Sequence, residues 1–290
     1  MEIQKQLKDN RPNLSDSSIK TYTSIIKNLY KRMFPHDDQI DLKKLEDESL
    51  VLDHLKDIDG SKRKTILSAL VVLIKDNKDY RQLMINDATQ YNDLQKKQEK
   101  TEQQKEHWIT QQQVLDVYKV LESNAKLLMK KKTLTSKDFQ DIQNYIILSL
   151  YVLICPRRLM DFTEMKLKNV NPQKDNYINK KEFIFNEFKT KSYYGQQKVE
   201  IPLGLLKILK LWIKLNPNDY LLVDTKHEKL TPVKLNQRLN KIFNGKVSVN
   251  LLRHAFLTDK YQNIPALENM IATATAMGNS LPQSLEYVKK

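Results

Sequence analysis

A handful of side chains in this sequence have the types needed to handle a phosphodiester: Arg157 and Arg158 in CPRRLMDF, the lysines of FKTKSYYGQQKVEIP, Arg253 in NLLRHAF, and Tyr287. Breaking and remaking such a bond without a metal needs three things: cations against the non-bridging oxygens, a proton donor for the leaving oxygen, and a nucleophile. A tyrosine phenol has an ordinary pKa near ~10, so it attacks only when neighbouring cations lower that value or a proton leaves during reaction. Metal chemistry has little to build on. His36, His54, His107, His227 and His254 carry no HExxH or paired spacing, and no Asp/Glu set clusters as a two-metal site would need. No metal and no cofactor is expected.

These residues must be positioned by elements that the sequence also encodes. The run DIQNYIILSLYVLI reads as a buried helix, and the two arginines follow it after Pro156, where a core meets something needing fixed positive charge. At 290 residues the chain is long enough for two ordinary domains. Five glycines among abundant Leu, Ile, Lys, Gln and Asp argue for a mainly helical protein. The net charge of +14 points to a polyanionic partner. No apolar run reaches the ~18 residues of a membrane span and the N-terminus lacks a signal-peptide core, so nucleic acid is the expected partner and a membrane is not. A lone cysteine, Cys155, excludes a disulfide framework and a cysteine-based zinc site, and fits a reducing intracellular compartment.

Along the chain, Ser15 is the expected N-cap of a helix burying Ile19, Tyr22, Ile25, Ile26, Leu29, Tyr30 and Met33. Its other face carries Lys20, Thr23, Ser24, Lys27 and Lys31, a row of the kind that lies along a phosphate backbone. A second helix is expected over about 42–58. In a third, GSKRKTILSALVVLIKD, Ser61 can cap while Lys62, Arg63 and Lys64 crowd the first turn, against the helix dipole; an external anion would relieve that conflict. NDLQKKQEKTEQQKEH is nearly devoid of apolar residues, which places a charged linker at 96–106 between a helical domain at 1–95 and a second domain at 107–290. The second domain opens with a capping box, Thr110 and Gln113. It continues with a long helix over about 136–154, a helix reaching Pro172, and a small antiparallel sheet whose hairpin runs over about 183–201 around Gly195. Helices then resume. Within 226–260 eight Lys or Arg stand against two acids, which suits a DNA-facing surface.

The order Arg158, a hairpin lysine, LLRHAF, the glycine of MGNS and Tyr287 resembles the tyrosine recombinases, the phage-type integrases. PRRLMDF looks most like the variant in integrases of viruses and eukaryotic mobile elements. The resemblance spans the chain: it implies an N-terminal core-binding domain, a catalytic domain, double-stranded DNA as substrate, and a homo-tetramer on paired sites. It makes Arg158 and Arg253 the phosphate-binding arginines, with Asp161 supporting. Lys189 becomes the acid that protonates the 5′ oxygen, with Lys191 the alternative; strand alternation puts both on one face and does not separate them. Asn250 and Asn279 stand where the family usually has histidine, or histidine or tryptophan, and His254 is a supporting residue. Asn donates a hydrogen bond but exchanges no proton near neutrality. Tyr287 would be the nucleophile of a two-step transesterification through a 3′-phosphotyrosyl link. DNA-binding positions expected in the first domain are Lys20, Lys27, Lys31, Lys62, Arg63 and Lys64. The protein is then expected inside a cell, wherever its target DNA lies, host cytoplasm or nucleus. Two other readings follow from the same residues: a type IB topoisomerase-like enzyme, or a DNA-binding relative impaired in catalysis.

Overall fold

The structure is a computed structural model that describes residues 2–262, 264–276 and 281–282. It is mainly helical with one small sheet, and the chain divides into two compact units, residues 1–99 with the segment from Pro265 onward, and residues 100–264.

The first unit is built from α1 (Glu2–Asn10), α2 (Asp16–Met33), a 3-10 turn (Leu42–Glu46), α3 (Glu48–Leu55), α4 (Gly60–Leu73) and α5 (Lys78–Lys96). Ser15 caps α2 by accepting from the Ser18 N–H, and the expected apolar stripe is buried or partly buried. Thr23 differs from expectation: it is buried rather than part of the basic row, its hydroxyl donating to the Ile19 carbonyl at 2.7 Å. Lys20, Lys27 and Lys31 are exposed, with no ion pair among the described residues. The single helix expected over 42–58 is broken at Asp47, whose carboxylate accepts from the Leu50 N–H and starts α3 afresh.

At the start of α4 the expected charge conflict is resolved within the protein. Asp59, not Ser61, is the N-cap, accepting from the N–H groups of Ser61 and Lys62, so a carboxylate already sits against the helix dipole. Arg63 forks onto the buried Asp87 with bonds of 2.8 and 2.7 Å and also donates to the Lys56 carbonyl. The Lys64 ammonium lies 3.5 Å from the centre of the Tyr91 ring. Of this trio Lys62 alone stays exposed. Gly60 lets α4 pack closely on Asp87: a Cβ there would sit 3.3 Å from Asp87 Oδ1, so that side chain would have to give by a few tenths of an ångström.

The second unit comprises α6 (Glu102–His107), α7 (Gln111–Leu128), α8 (Ser136–Val152), α9 (Leu159–Thr163), α10 (Lys191–Tyr194), α11 (Leu203–Leu215), α12 (Pro232–Ile242) and α13 (Val249–Lys260). Both reciprocal bonds of the Thr110–Gln113 capping box are present, and a second box, Thr101–Gln104, makes a short helix of part of the stretch read as linker. α8 is the hub. Phe139, Ile142, Ile146, Ile147, Leu148, Leu150 and Tyr151 are all buried around it.

Strands β1 (Met165–Lys166), β2 (Asn176–Asn179), β3 (Glu182–Phe185) and β4 (Gln197–Glu200) form one sheet in the order 1-2-3-4. β2, β3 and β4 are antiparallel as expected, while β1 runs parallel to β2. β1 lies where a helix to Pro172 was expected. α9 ends after five residues because the following backbone finds partners elsewhere: Leu167 N–H donates to the Asp219 carbonyl and Leu221 N–H to that of Met165. Tertiary pairing overrides local preference there. Between β3 and β4 the chain makes the helical turn α10, which ends at Gly195 with φ +65°, so that glycine closes a helix rather than a tight hairpin.

Helix α14 (Leu267–Ala276) groups with the first unit, and its Leu267 N–H donates to Gln98 Oε1 at 3.0 Å. Asn279 and Tyr287 lie outside the described residues.

The Arg63–Asp87 pair gives a stability prediction. Asp87→Ala leaves a largely buried guanidinium without its carboxylate and should cost about 3 kcal/mol in urea unfolding. A loss below about 0.5 kcal/mol would contradict the structural role given to this pair.

Candidate functional site

Past Leu153, which caps α8, the chain turns through Cys155 and Pro156 and delivers two arginines that end in different places. Arg157 is tied down. Its Nε donates to Asp161 Oδ2 at 2.7 Å, four residues on, and its Nη2 donates to Gln197 Oε1 on β4 at 2.8 Å. The guanidinium carbon also stacks 3.9 Å from the centre of the Phe185 ring, a cation–π contact. Arg158 is extended (φ −73°, ψ 160°) immediately before α9 and makes no side-chain hydrogen bond or ion pair among the described residues. It faces a cavity of about 560 Å³ shared with Arg157, Asp161, Thr190, Tyr194, Gln197 and Arg253.

Arg253 reaches that cavity from α13, and it too has no partner among the described hydrogen bonds and ion pairs. Burial pulls its pKa down, Arg158 pulls it further, and Asp161 opposes both. Two free guanidiniums therefore sit close enough to repel. Asp161 is buried and shows the mirror effect: burial raises its pKa against the attraction of Arg157, Arg158 and Arg253. Three guanidiniums against the two carboxylates of Asp161 and Glu200 leave the cavity net positive. An anion with several oxygens would relieve that repulsion, and each unpaired fork can give two hydrogen bonds to it.

The floor of the site hangs on Asn176, which is fully buried. Its Nδ2 donates to the carbonyls of Asp161 (3.2 Å) and Glu187 (2.8 Å), while its Oδ1 accepts from the N–H groups of Asn186 (2.8 Å) and Glu187 (2.7 Å). One amide thereby fixes α9 against the loop that leads into α10. Asn176, Gln197 and Phe185 were not singled out in the sequence, because a polar residue inside a strand carries no marker of its partners. The pairing of Arg157 with Asp161 was not legible either, because Arg157 precedes the extended N-cap Arg158 and so lies outside α9, where helical spacing has no application.

The remaining expected residues are distributed differently. Lys189 is exposed and does not line the cavity, although its neighbours Phe188 and Thr190 do. Lys191 is paired with Glu187 at 3.2 Å. Neither lysine lies in a strand, so the alternation argument that grouped them has no application. Lys198 is in β4, exposed, between the cavity-lining Gln197 and Val199. Asn250 and His254 line a separate recess of about 480 Å³ with His107 and Lys246. Arg253 is turned about 100° from His254 around α13, which sends the two side chains to different cavities. The basic stretch 226–260 is partly neutralised by acids outside it: Lys229 holds Glu164 with two 2.9 Å bonds and Lys234 holds Asp224 at 2.5 Å.

No family model and no curated protein matches the sequence. Among solved structures the chain is similar to XerA recombinase, at 15% identity with a TM-score of 0.34, over 91% of this chain and 84% of that one. It is also similar to a lambda integrase(75-356) dimer bound to a COC′ core site, at 13% identity with a TM-score of 0.46, over 92% and 89% of the two chains.

No helix among the described residues is long and apolar enough to cross a membrane, and no group of three His, Cys, Asp or Glu among them could hold a metal ion.

The adjacent arginines should separate cleanly in a stability measurement. Arg157→Leu strips a buried carboxylate of its partner and should cost about 3 kcal/mol. Arg158→Leu removes an unpaired cation and should cost less than about 1 kcal/mol. Equal losses in urea unfolding would contradict the division of labour between them.

Proposed function

We propose that this protein cuts and rejoins double-stranded DNA as a site-specific recombinase or integrase of the tyrosine recombinase kind. The observation that carries the reading is the convergence of Arg158 and Arg253, both unpaired, on one positively charged cavity whose shape is held by Arg157, Asp161 and Asn176. In this reading the two forks grip the non-bridging oxygens of the scissile phosphate and stabilise the charge that grows in the pentavalent transition state. Tyr287 attacks the phosphorus, the bond to the 5′ oxygen breaks, and a 3′-phosphotyrosyl link forms with a free 5′ hydroxyl. A partner strand's hydroxyl then displaces the tyrosine. The covalent link conserves the phosphodiester, so neither a nucleotide cofactor nor a metal takes part.

The leaving 5′ oxygen needs a proton, for which Lys189 is the first candidate and Lys191 the alternative. Lys191 is held by Glu187, whereas Lys189 carries no ion pair among the described residues, which favours Lys189. Asn250 and Asn279 take the positions of donors to the phosphate, with His254 and Asp161 supporting. Residues 1–95 serve as the core-binding domain, using Lys20, Lys27, Lys31, Lys62 and Lys64, and residues 107–290 as the catalytic domain. Arg63 drops out of that set because it is committed to Asp87. The working form is a homo-tetramer on paired sites, from a virus or mobile element, acting wherever its target DNA lies.

A second reading has its own support. Asn250 and His254 line a different recess from Arg253, and Lys189 does not line the arginine cavity. That distribution suits a DNA-binding relative impaired in catalysis. A type IB topoisomerase-like enzyme would share the arginines and the tyrosine, but relax supercoiled plasmid as a monomer.

A nicked suicide duplex distinguishes these. The recombinase reading predicts a covalent protein–DNA adduct that is lost in Tyr287→Phe, and lost in Arg158→Ala at unchanged stability. Specific binding without any adduct would establish the binding module instead. Because Cys155 is the one cysteine in the chain and lines the arginine cavity, DNA should also slow its alkylation by a maleimide at least ~10-fold; an unchanged rate would place the DNA elsewhere.

A further inference from the structure

A second cationic cavity lies in the larger unit, at the other end of α8 from Arg158. Gln140 on α8 is 13 residues before Leu153, about 20 Å along the axis at ~1.5 Å per residue. The cavity measures about 290 Å³ and is lined by Gln140, Asn144, Thr225, Lys234, Arg238 and Lys241, with Asp224 as its one carboxylate.

Arg238 is the unusual member. Its Nη1 donates to Asn144 Oδ1 at 3.4 Å and its Nη2 to Gln140 Oε1. Both partners are neutral amides. No carboxylate lies within ion-pair distance of it among the described residues; Asp141 and Asp224 act on it only from further away. Burial lowers its pKa, the sign of a cation held out of water without full compensation. Asp224 cannot supply the missing charge, since its oxygens already take the Lys234 ammonium and the N–H groups of Lys226 and Glu228. Lys241 has no ion pair among the described residues. Three cationic side chains thus face one carboxylate that is already engaged.

A guanidinium has five N–H donors, and two of those on Arg238 are spent on the amides. Those amides hold the fork's plane fixed on the wall formed by α8 and α12, with the remaining donors available to the cavity. A preoriented fork with a free ammonium one turn along the same helix is the arrangement that binds a tetrahedral oxyanion. We infer that the cavity of Arg238 and Lys241 is a second phosphate-binding site, distinct from that of Arg158 and Arg253.

Two sources present the same chemistry, a backbone phosphate of bound DNA or a free phosphate ion. The first rests on the DNA reading above; the second does not, so the two arms of the test fail independently. Inorganic phosphate titrated into the full chain, followed by 31P line broadening, should bind wild type. Arg238→Gln and Lys241→Gln should each weaken that binding at least ~10-fold. Arg158→Gln is run in parallel so that phosphate held in the first cavity is subtracted. In the second arm, the slope of log affinity for duplex DNA against log salt should fall by about one unit in Lys241→Gln if the ligand is a DNA phosphate, and stay unchanged if it is a free ion. Lys241 is exposed, so its variant folds even where Arg238→Gln does not. Wild-type phosphate binding that survives both substitutions, or no phosphate binding together with an unchanged salt slope, overturns the assignment.

Discussion

A buried carboxylate facing a guanidinium, Asp161 against Arg157 at 2.7 Å, underlies the cavity that Arg158 and Arg253 share. A charge so deeply buried is costly unless it is paired, and Arg157 supplies the pair. The same guanidinium then reaches Gln197 on β4 and stacks on Phe185 of β3. One side chain therefore joins α9 to two strands of the sheet. Through the Asp161 carbonyl the link extends to Asn176, which holds the loop entering α10. The cavity walls formed by α9, the sheet and the loop entering α10 are tied to this one ion pair.

The arrangement separates two tasks that adjacent arginines might seem to share. Arg157 satisfies the core; Arg158 is left with no partner among the described residues. Arg253 is left likewise by α13, and the buried Asp161 attracts both, offsetting part of their mutual repulsion. A pair of preorganised, unpaired forks is costly in the folded state and favourable once an anion arrives. Binding groups held in place beforehand need little reorganisation when charge develops on a reacting phosphate.

The helices were legible in the sequence because period, caps and apolar faces agree. Ser15, Thr110 with Gln113, and the buried run of α8 all stand where their spacing puts them. Short elements held by distant partners were not legible. β1 replaces an expected helix because Met165 pairs with Asn176 and with the backbone of Leu221, contacts that no local pattern announces. Charge was misjudged for the same reason: Lys62, Arg63 and Lys64 looked like an anion-seeking cluster until Asp59 and the distant Asp87 were seen to answer them. In the site, the order of motifs pointed to Arg158 and Arg253, whereas the pairing of Arg157 with Asp161 was not read, because Arg157 precedes α9. Asn250 and His254 point into another recess because the rotation of α13, not sequence adjacency, decides which cavity a side chain enters.

In the proposed site Arg158 and Arg253 hold one tetrahedral oxyanion between them. Orthovanadate, a mimic of phosphate, tests this without DNA, through a double-mutant cycle on its affinity measured by 51V line width. Joint action on one ion predicts that Arg158→Lys and Arg253→Lys are non-additive by at least about 1 kcal/mol. Strictly additive losses, or none, would mean that the two arginines do not share a ligand.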